Sequence, residues 1–289
     1  MMEQLINQIS EKARTDSLDD YLGGDGLIYC GKCHTRKQLR LKKPCTEDQE
    51  MIVHVLCTCA REKREAEEAE RKRQEQIAEI WRMKSSGIHD RALLESCFAN
   101  DDGSTPQIVL AKEYVESWQE RKASNDGLLL WGNVGTGKTY FAACIANALI
   151  EQGVPVLMTN FSKILNQLSG LYAAEKNEFI SSMMRYQLLV IDDFGIERNT
   201  EYALEQVYNV IDERYKTNLP LIITTNLTME DLKNPETIAY ARIYDRVLSM
   251  CIPIQIEGEN HRLKDRSRTL ENGRSLLRKT EEKKLWNRE

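Results

Sequence analysis

At 289 residues, with 41% hydrophobic and 29% charged side chains, the chain is long enough for one full α/β domain and a smaller appendage, and disorder throughout is excluded. A formal charge of −5 excludes capture of nucleic acid by the field of the whole molecule and leaves that task to a local basic groove. Residues 1–9 lack a signal-peptide core and no later run approaches the ~18 apolar residues of a membrane span, so the expectation is a cytoplasmic protein with no membrane partner.

In chain order, residues 2–14 set Leu5, Ile6, Ile9 and Ala13 at helical spacing and predict a short amphipathic helix. Residues 23–60 carry glycine, cysteine and short alternating stretches such as Met51 to Leu56, which predict a small β-rich module. Within it Cys30-x-x-Cys33 and Cys57-x-Cys59 form two close pairs, a spacing that suits four-coordinate structural zinc in a chain with no signal peptide. Cys45, His34 and His54 are each able to replace one ligand. Metal binding would supply the stability that so few apolar residues cannot. Cys97, Cys144 and Cys251 sit among apolar neighbours and are expected in the core. The expected domains are 1–60 for this module, 61–85 for a charged helical linker, 86–268 for the α/β domain and 269–289 for a polar tail. In the linker, Glu67 with Arg71 and Glu68 with Lys72 are spaced for pairing along a solvated helix.

From about Ser85, apolar runs of strand length alternate with helical segments: Leu128 to Trp131, Val154 to Thr159, Leu188 to Ile191, Leu221 to Thr225 and Ile252 to Ile256. This alternation predicts a five-stranded parallel sheet with helices on both faces. After the first run comes Gly132-Asn133-Val134-Gly135-Thr136-Gly137-Lys138-Thr139, then Tyr140 and a helical run. Glycines at these positions let backbone N–H groups wrap phosphate at a helix N-terminus, with Lys138 on the β and γ oxygens and Thr139 on Mg²⁺; the expected ligand is ATP. Leu188 to Asp193 is a buried strand ending in two carboxylates. Asp192 is expected in the Mg²⁺ shell and Asp193 as the base for the attacking water, or alternatively as an N-cap. Leu221 to Asn226 is a second such strand, whose terminal amide would orient that water or contact the γ-phosphate, or else form a turn.

These three elements, with the lead-in Ser86-Gly87-Ile88 and the run Ala241-Arg242-Ile243-Tyr244-Asp245-Arg246, resemble the AAA+ ATPases, and more narrowly the DnaC/DnaI-type replicative helicase loaders and the related IstB transposition ATPases, over residues 86–268. The resemblance implies a P-loop fold with a shortened helical lid. It also implies an arginine finger given in trans by Arg246, with Arg242 one turn away as runner-up, so that self-association completes each ATPase site. A sensor arginine at Arg262 is implied likewise. In loader and initiator ATPases the helix after the second strand lines a channel for single-stranded DNA, which here points to Phe161, Ser162, Lys163 and Tyr172; core packing is the alternative for Phe161. The cysteine module is similar to the zinc-binding N-terminal domain of DnaI-type loaders, which grips the hexameric helicase. The expected function is ATP-dependent loading of a replicative helicase onto single-stranded DNA, with hydrolysis weak alone and stimulated by assembly or DNA. The alternative is an IstB-like ATPase assisting a transposase. A small-molecule kinase or GTPase is disfavoured by the absence of an Asn-Lys-x-Asp guanine signal.

Overall fold

The computed structural model describes residues 2–43, 49–101, 107–195, 200–258, 260 and 263. The chain divides into two compact units, Met1–Ala78 and Glu79–Glu289. The first holds helix α1 (Met2–Ala13), strands β1 (Tyr21–Leu22) and β2 (Ile28–Tyr29), and an antiparallel hairpin of β3 (Gln38–Lys42) and β4 (Glu50–His54). The Ser10 hydroxyl is buried and accepts the His54 backbone N–H at 2.7 Å, which docks α1 on β4. Among the described residues of this unit the buried apolar side chains are Leu27, Cys30, Val53 and Cys57. So thin a core requires a staple.

Helix α2 (Thr58–Gly87) supplies residues to both units. Its middle is solvated on every side, where its charges pair along the helix, while near its end Lys84 pairs with Glu151 at 2.7 Å; the register differs in part from expectation. Glu68 pairs with Lys72 at 3.2 Å as predicted, but Arg71 pairs forward with Glu75 at 2.8 Å and Glu67 with Lys63 at 3.7 Å. Glu67 and Glu68 each have a basic residue four positions away on either side, and exposed pairs of this kind differ too little in energy for spacing to choose between them.

The second unit opens with α3 (Arg91–Leu94), α4 (Ile108–Glu116) and α5 (Trp118–Ser124). It then alternates β5 (Gly127–Trp131), α6 (Lys138–Glu151), β6 (Val156–Asn160), α7 (Phe161–Ser169), α8 (Ala173–Met183), β7 (Leu188–Phe194) and α9 (Glu201–Thr217). Strand β8 (Leu221–Thr225), α10 (Met229–Lys233), α11 (Ile238–Met250) and β9 (Cys251–Gln255) complete it. The five strands are parallel in the order β6-β7-β8-β5-β9. Alternation at period two sorts their side chains: Leu128, Leu130, Val156, Met158, Val190 and Ile222 meet α4, α5 and α6 on one face. Leu129, Leu157, Leu189, Ile191, Leu221 and Ile223 meet α7, α9 and α11 on the other. Both faces of β5, β6, β7 and β8 are covered, so these strands read as apolar runs, whereas the edge strand β9 leaves Ile252, Pro253 and Gln255 exposed.

The chain leaves β5 through α6 on one face and runs to the far edge of the sheet, while the later crossovers lie on the other face. The direction of winding therefore reverses beside β5, and a crevice opens at its carboxyl end. Arg214 is wholly buried and donates to the carbonyls of Tyr186 (2.9 Å), Gln187 (2.9 Å) and Pro220 (2.6 Å), tying α9 to the starts of β7 and β8. Cys144 and Cys251 are buried, as expected, whereas Cys97 is half-buried. The anticipated lid and the 269–289 tail fall outside the described residues.

Candidate nucleotide site and cysteine centre

Strand β5 delivers the chain to the crevice, and residues 132–137 form the loop that feeds α6. Gly132 has φ +145° and lies so close to β9 that an added Cβ would stand 2.5 Å from the Ile256 carbonyl oxygen; Gly137, the residue before α6, has φ +93°. Side chains are excluded at these turns, which leaves backbone N–H groups as the lining of an anion cradle at a helix N-terminus. Lys138 is 6% exposed, and its Nζ donates to the Gly132 carbonyl (2.9 Å), the Asn133 carbonyl (2.7 Å) and Asn226 Oδ1 (2.8 Å). A cavity of about 290 Å³ adjoins, with Asn133, Thr136 and Asn226 in its wall. Val134 is exposed at the loop tip. Tyr140 turns its hydroxyl away, donating to the Cys97 carbonyl at 2.7 Å, so that only its backbone remains to serve the phosphate loop.

The ends of β7 and β8 meet α6 at the same place. Thr139 Oγ1 donates to Asp192 Oδ1 at 2.8 Å, and Thr224 Oγ1 donates to the same oxygen at 2.5 Å. Burial pushes the Asp192 pKa up, Asp193 adds like charge, and the two threonine hydroxyls oppose them. Asp193 is exposed and holds φ +55°, with its N–H donating to Thr224 Oγ1 at 2.9 Å. Lys138, Thr139, Asp192, Asp193 and Asn226, predicted from three separate segments, thus converge on one sheet edge. Sequence reasoning missed Thr224 and Thr225. Two adjacent threonines in an otherwise apolar buried strand were a usable signal, because buried hydroxyls must find partners.

The basic and aromatic candidates fare differently. Arg246 is held within its own chain: Nε donates to Asp212 Oδ1 at 2.8 Å, a terminal nitrogen to the Tyr208 hydroxyl at 2.8 Å, and the guanidinium lies 4.7 Å from the Tyr208 ring centre. Burial works to raise the Asp212 pKa, but Lys216 and Arg246 outweigh it and hold the carboxyl below its ordinary value. Arg242 is exposed, one turn before. Arg262 lies outside the described residues. Phe161 takes the core-packing alternative and not the DNA-contact role: it is 1% exposed, with its ring centre 5.8 Å from that of Phe194, which leaves no face for a base. As the first residue of α7 it faces the sheet, where burying a large ring outweighs exposing it to solvent. Ser162, Lys163 and Tyr172 are exposed.

In the first unit the Sγ atoms of Cys30, Cys33, Cys57 and Cys59 all lie within 4.8 Å of one another. Cys59 is 3.6 Å from Cys30 and 3.5 Å from Cys57. Tetrahedral zinc with ~2.3 Å bonds to sulfur needs edges of about 3.8 Å, so the donor set fits such an ion. Neither His34 nor His54 belongs to the group; His34 Nδ1 instead shares a 3.2 Å hydrogen bond with the Tyr21 hydroxyl. Cys45 lies outside the described residues. The Cys59 amide and then the Thr35 hydroxyl hold the Cys33 thiol down to about 5, while the neighbouring Cys57 and Cys33 push Cys59 up to about 12. Four adjacent thiolates repel one another, a cost that a divalent cation removes. Cys57 and Cys59 also flank the N-terminus of α2, whose N–H groups favour anions. Asp20 accepts from Gly31 N–H, inside the Cys30–Cys33 knuckle, and from the buried Lys37 ammonium, which braces the centre from outside.

A parallel sheet with a glycine loop, a basic residue at the helix start, a paired threonine and aspartate, and a strand-end amide define an AAA+ P-loop ATP-binding domain. The chain belongs to the IstB-like ATP binding protein family, whose model matches residues 47–269. It is 28% identical over 195 residues to the replicative helicase loader DnaI of Bacillus subtilis, covering 62% of this chain and 62% of that protein. It is 24% identical over 197 residues to an ATP-binding protein in an insertion sequence of Mycobacterium tuberculosis, covering 67% and 77%. A crystal structure of DnaI superposes with a TM-score of 0.50 at 27% identity, over 62% of this chain and 98% of that one. The chain therefore spans under two thirds of the length of the loader it matches. No described helix is long and apolar enough to cross a membrane.

Proposed function

We propose that this protein is a cytoplasmic ATP hydrolase that loads a replicative hexameric helicase onto single-stranded DNA, using ATP binding and hydrolysis to control its hold on both. The observation that carries the reading is the convergence of Lys138, Thr139, Asp192 and Asn226 at one sheet edge in a chain similar to a protein named a replicative helicase loader. Residues 132–139 bind the phosphates, and Lys138 exchanges its present oxygen acceptors for phosphate oxygens. Thr139 and Asp192 are the side chains that would hold Mg²⁺, which when bound neutralises charge on the transferring group. Asp193 accepts the proton of the attacking water, and Asn226 orients that water. A neighbouring copy supplies an arginine from α11. Arg246 fills this role if it leaves Asp212, and Arg242 is the exposed alternative. Cys30, Cys33, Cys57 and Cys59 hold structural zinc, and the module around them grips the helicase. Ser162, Lys163 and Tyr172 meet single-stranded DNA.

The test is deposition of a purified cognate helicase on single-stranded DNA, with and without ATP. Deleting residues 1–60 is expected to abolish helicase binding and to spare ATP binding; failure of the intact protein to bind the helicase or to increase its deposition would sink the reading. A second reading, an ATPase that assists a transposase, is favoured by the match to the insertion-sequence protein, which covers more of both chains than the match to DnaI. It requires assembly on duplex DNA and capture of a transposase. A pull-down from the native cell, identifying helicase or transposase, decides between them.

A further inference from the structure

We infer that Thr224 is a positioning residue for ATP hydrolysis, its one hydroxyl holding Asp192 for metal binding and Asp193 for water activation; the inference rests on the hydrolase reading above. Thr224 is wholly buried. Its hydroxyl gives its proton to Asp192 Oδ1 at 2.5 Å and accepts the Asp193 N–H at 2.9 Å. A threonine hydroxyl has a single proton, so these two bonds together fix its rotation.

The backbone supplies a second, independent reason. Strand pairing between β7 and β8 runs regularly to Ile191↔Ile223 and resumes at Phe194↔Thr225, so Asp192 and Asp193 together stand opposite Thr224. This is a bulge, and bulges re-aim side chains next to active sites. Within it Asp193 takes φ +55°, a left-handed conformation uncommon for residues bearing a Cβ, although aspartate adopts it more readily than most. The Thr224 hydroxyl bonds directly to the N–H of that residue. Thr225 tells the two roles apart: its hydroxyl donates to the Phe194 carbonyl at 2.7 Å and reaches neither carboxylate.

Asp192 Oδ1 now receives hydroxyls from two elements, Thr139 of α6 and Thr224 of β8. When Thr139 turns to the metal, Thr224 is the donor that keeps Asp192 in place. Buried hydrogen bonds outside the ligand set orient metal-binding carboxylates in this way, and their loss costs about tenfold to a hundredfold in metal affinity or activity.

The experiment compares the full-length wild type, T224V and T224S in steady-state hydrolysis across ATP and Mg²⁺ concentrations, in binding of a fluorescent ATP analogue as Mg²⁺ is varied, and in Tm. T224V is expected to lower kcat about tenfold to a hundredfold, to leave the KM for ATP within about threefold, and to raise the Mg²⁺ requirement for binding. T224S, which keeps the hydroxyl, is expected to return kcat to within about threefold of wild type. If T224V does not fold, T224C, close in size with only a weak donor, takes its place with the same expectations. Wild-type kcat and Mg²⁺ dependence in the hydroxyl-free variant, or equal impairment in T224S, overturns the inference. If the wild type itself hydrolyses no ATP, it is the hydrolase reading that fails. The Mg²⁺ requirement for analogue binding then decides for Thr224: unchanged in T224V, it overturns the positioning role; raised, it supports it.

Discussion

Asp192 joins stability and function in opposite senses. Burial raises its pKa above the ordinary 3.8, and the Thr224 and Thr139 hydroxyls only partly offset that burial. A carboxyl whose folded pKa is raised contributes stability that is fully present below the unfolded value and is lost as pH rises through the folded value. Asp192→Asn is therefore expected to raise the Tm of the nucleotide-free protein by a few degrees at neutral pH, because an amide accepts the same two hydroxyls without a buried charge. The two proteins should converge as pH falls toward about 4, and Mg²⁺-dependent hydrolysis should be lost. Calorimetry across this pH range checks the sign; a variant less stable than wild type at neutral pH contradicts it. The aspartate itself was legible, because a carboxylate pair ending an apolar run is rare in a strand. The adjacent threonines at 224 and 225 signalled only that buried hydroxyls need partners; that Thr224 serves both Asp192 and Asp193 was not legible, because those partners lie across the sheet.

Among the elements, α9 shows how a helix can be secured by a polar group in its apolar face. Arg214 gives its guanidinium to three carbonyls that begin β7 and β8, with no carboxylate nearby among its hydrogen-bond partners. Arg214→Met keeps much of the volume but leaves those carbonyls without their donor, which is expected to destabilise the second unit by about 3–5 kcal/mol. Urea unfolding followed through nucleotide binding measures it. A loss near zero would mean that water replaces the guanidinium. An arginine in the last turn of a helix reads as solvent-facing and dipole-complementing from sequence, so this staple was invisible before folding. The five strands were legible to within about three residues because each carries an apolar run, which in β5, β6, β7 and β8 is covered on both faces. The pairing inside α2 was legible only as a pattern of alternating charge.

For the whole molecule, the two units differ in what stabilises them. The second is built on two large apolar clusters, whereas the first has few buried apolar residues around its four gathered thiols. Purified under reducing conditions, the protein is expected to carry one zinc ion per chain. Chelation, or mild acid that protonates the thiolates, should unfold the first unit while ATP-analogue binding by the second persists. Zinc content by elemental analysis, with circular dichroism before and after chelation, tests this; unchanged spectra after complete metal loss would reject a structural role. Assembly poses a separate question, and the α11 arginines answer it by splitting stability from hydrolysis. Arg246→Ala removes a partner of Asp212 and a contact with Tyr208 and should lower Tm, whereas Arg242→Ala should not. Whichever variant lowers hydrolysis in the assembled state, with ATP binding spared, marks the residue given in trans; loss in neither places the finger elsewhere.

Local chemistry was readable wherever neighbours in the chain are neighbours in space. The glycine loop from Gly132 to Thr139, the strand periodicity and the cysteine pairs each hold their meaning within a few residues, since backbone geometry and close thiol spacing act over that range. Tertiary structure alone decided that Phe161 lies in the core, that Arg246 is already paired with Asp212, and that one hydroxyl on β8 meets both acids of β7. These are contacts between residues roughly thirty or more positions apart or choices between two favourable environments, and packing selects among them through burial and hydrogen-bond satisfaction that no local pattern encodes.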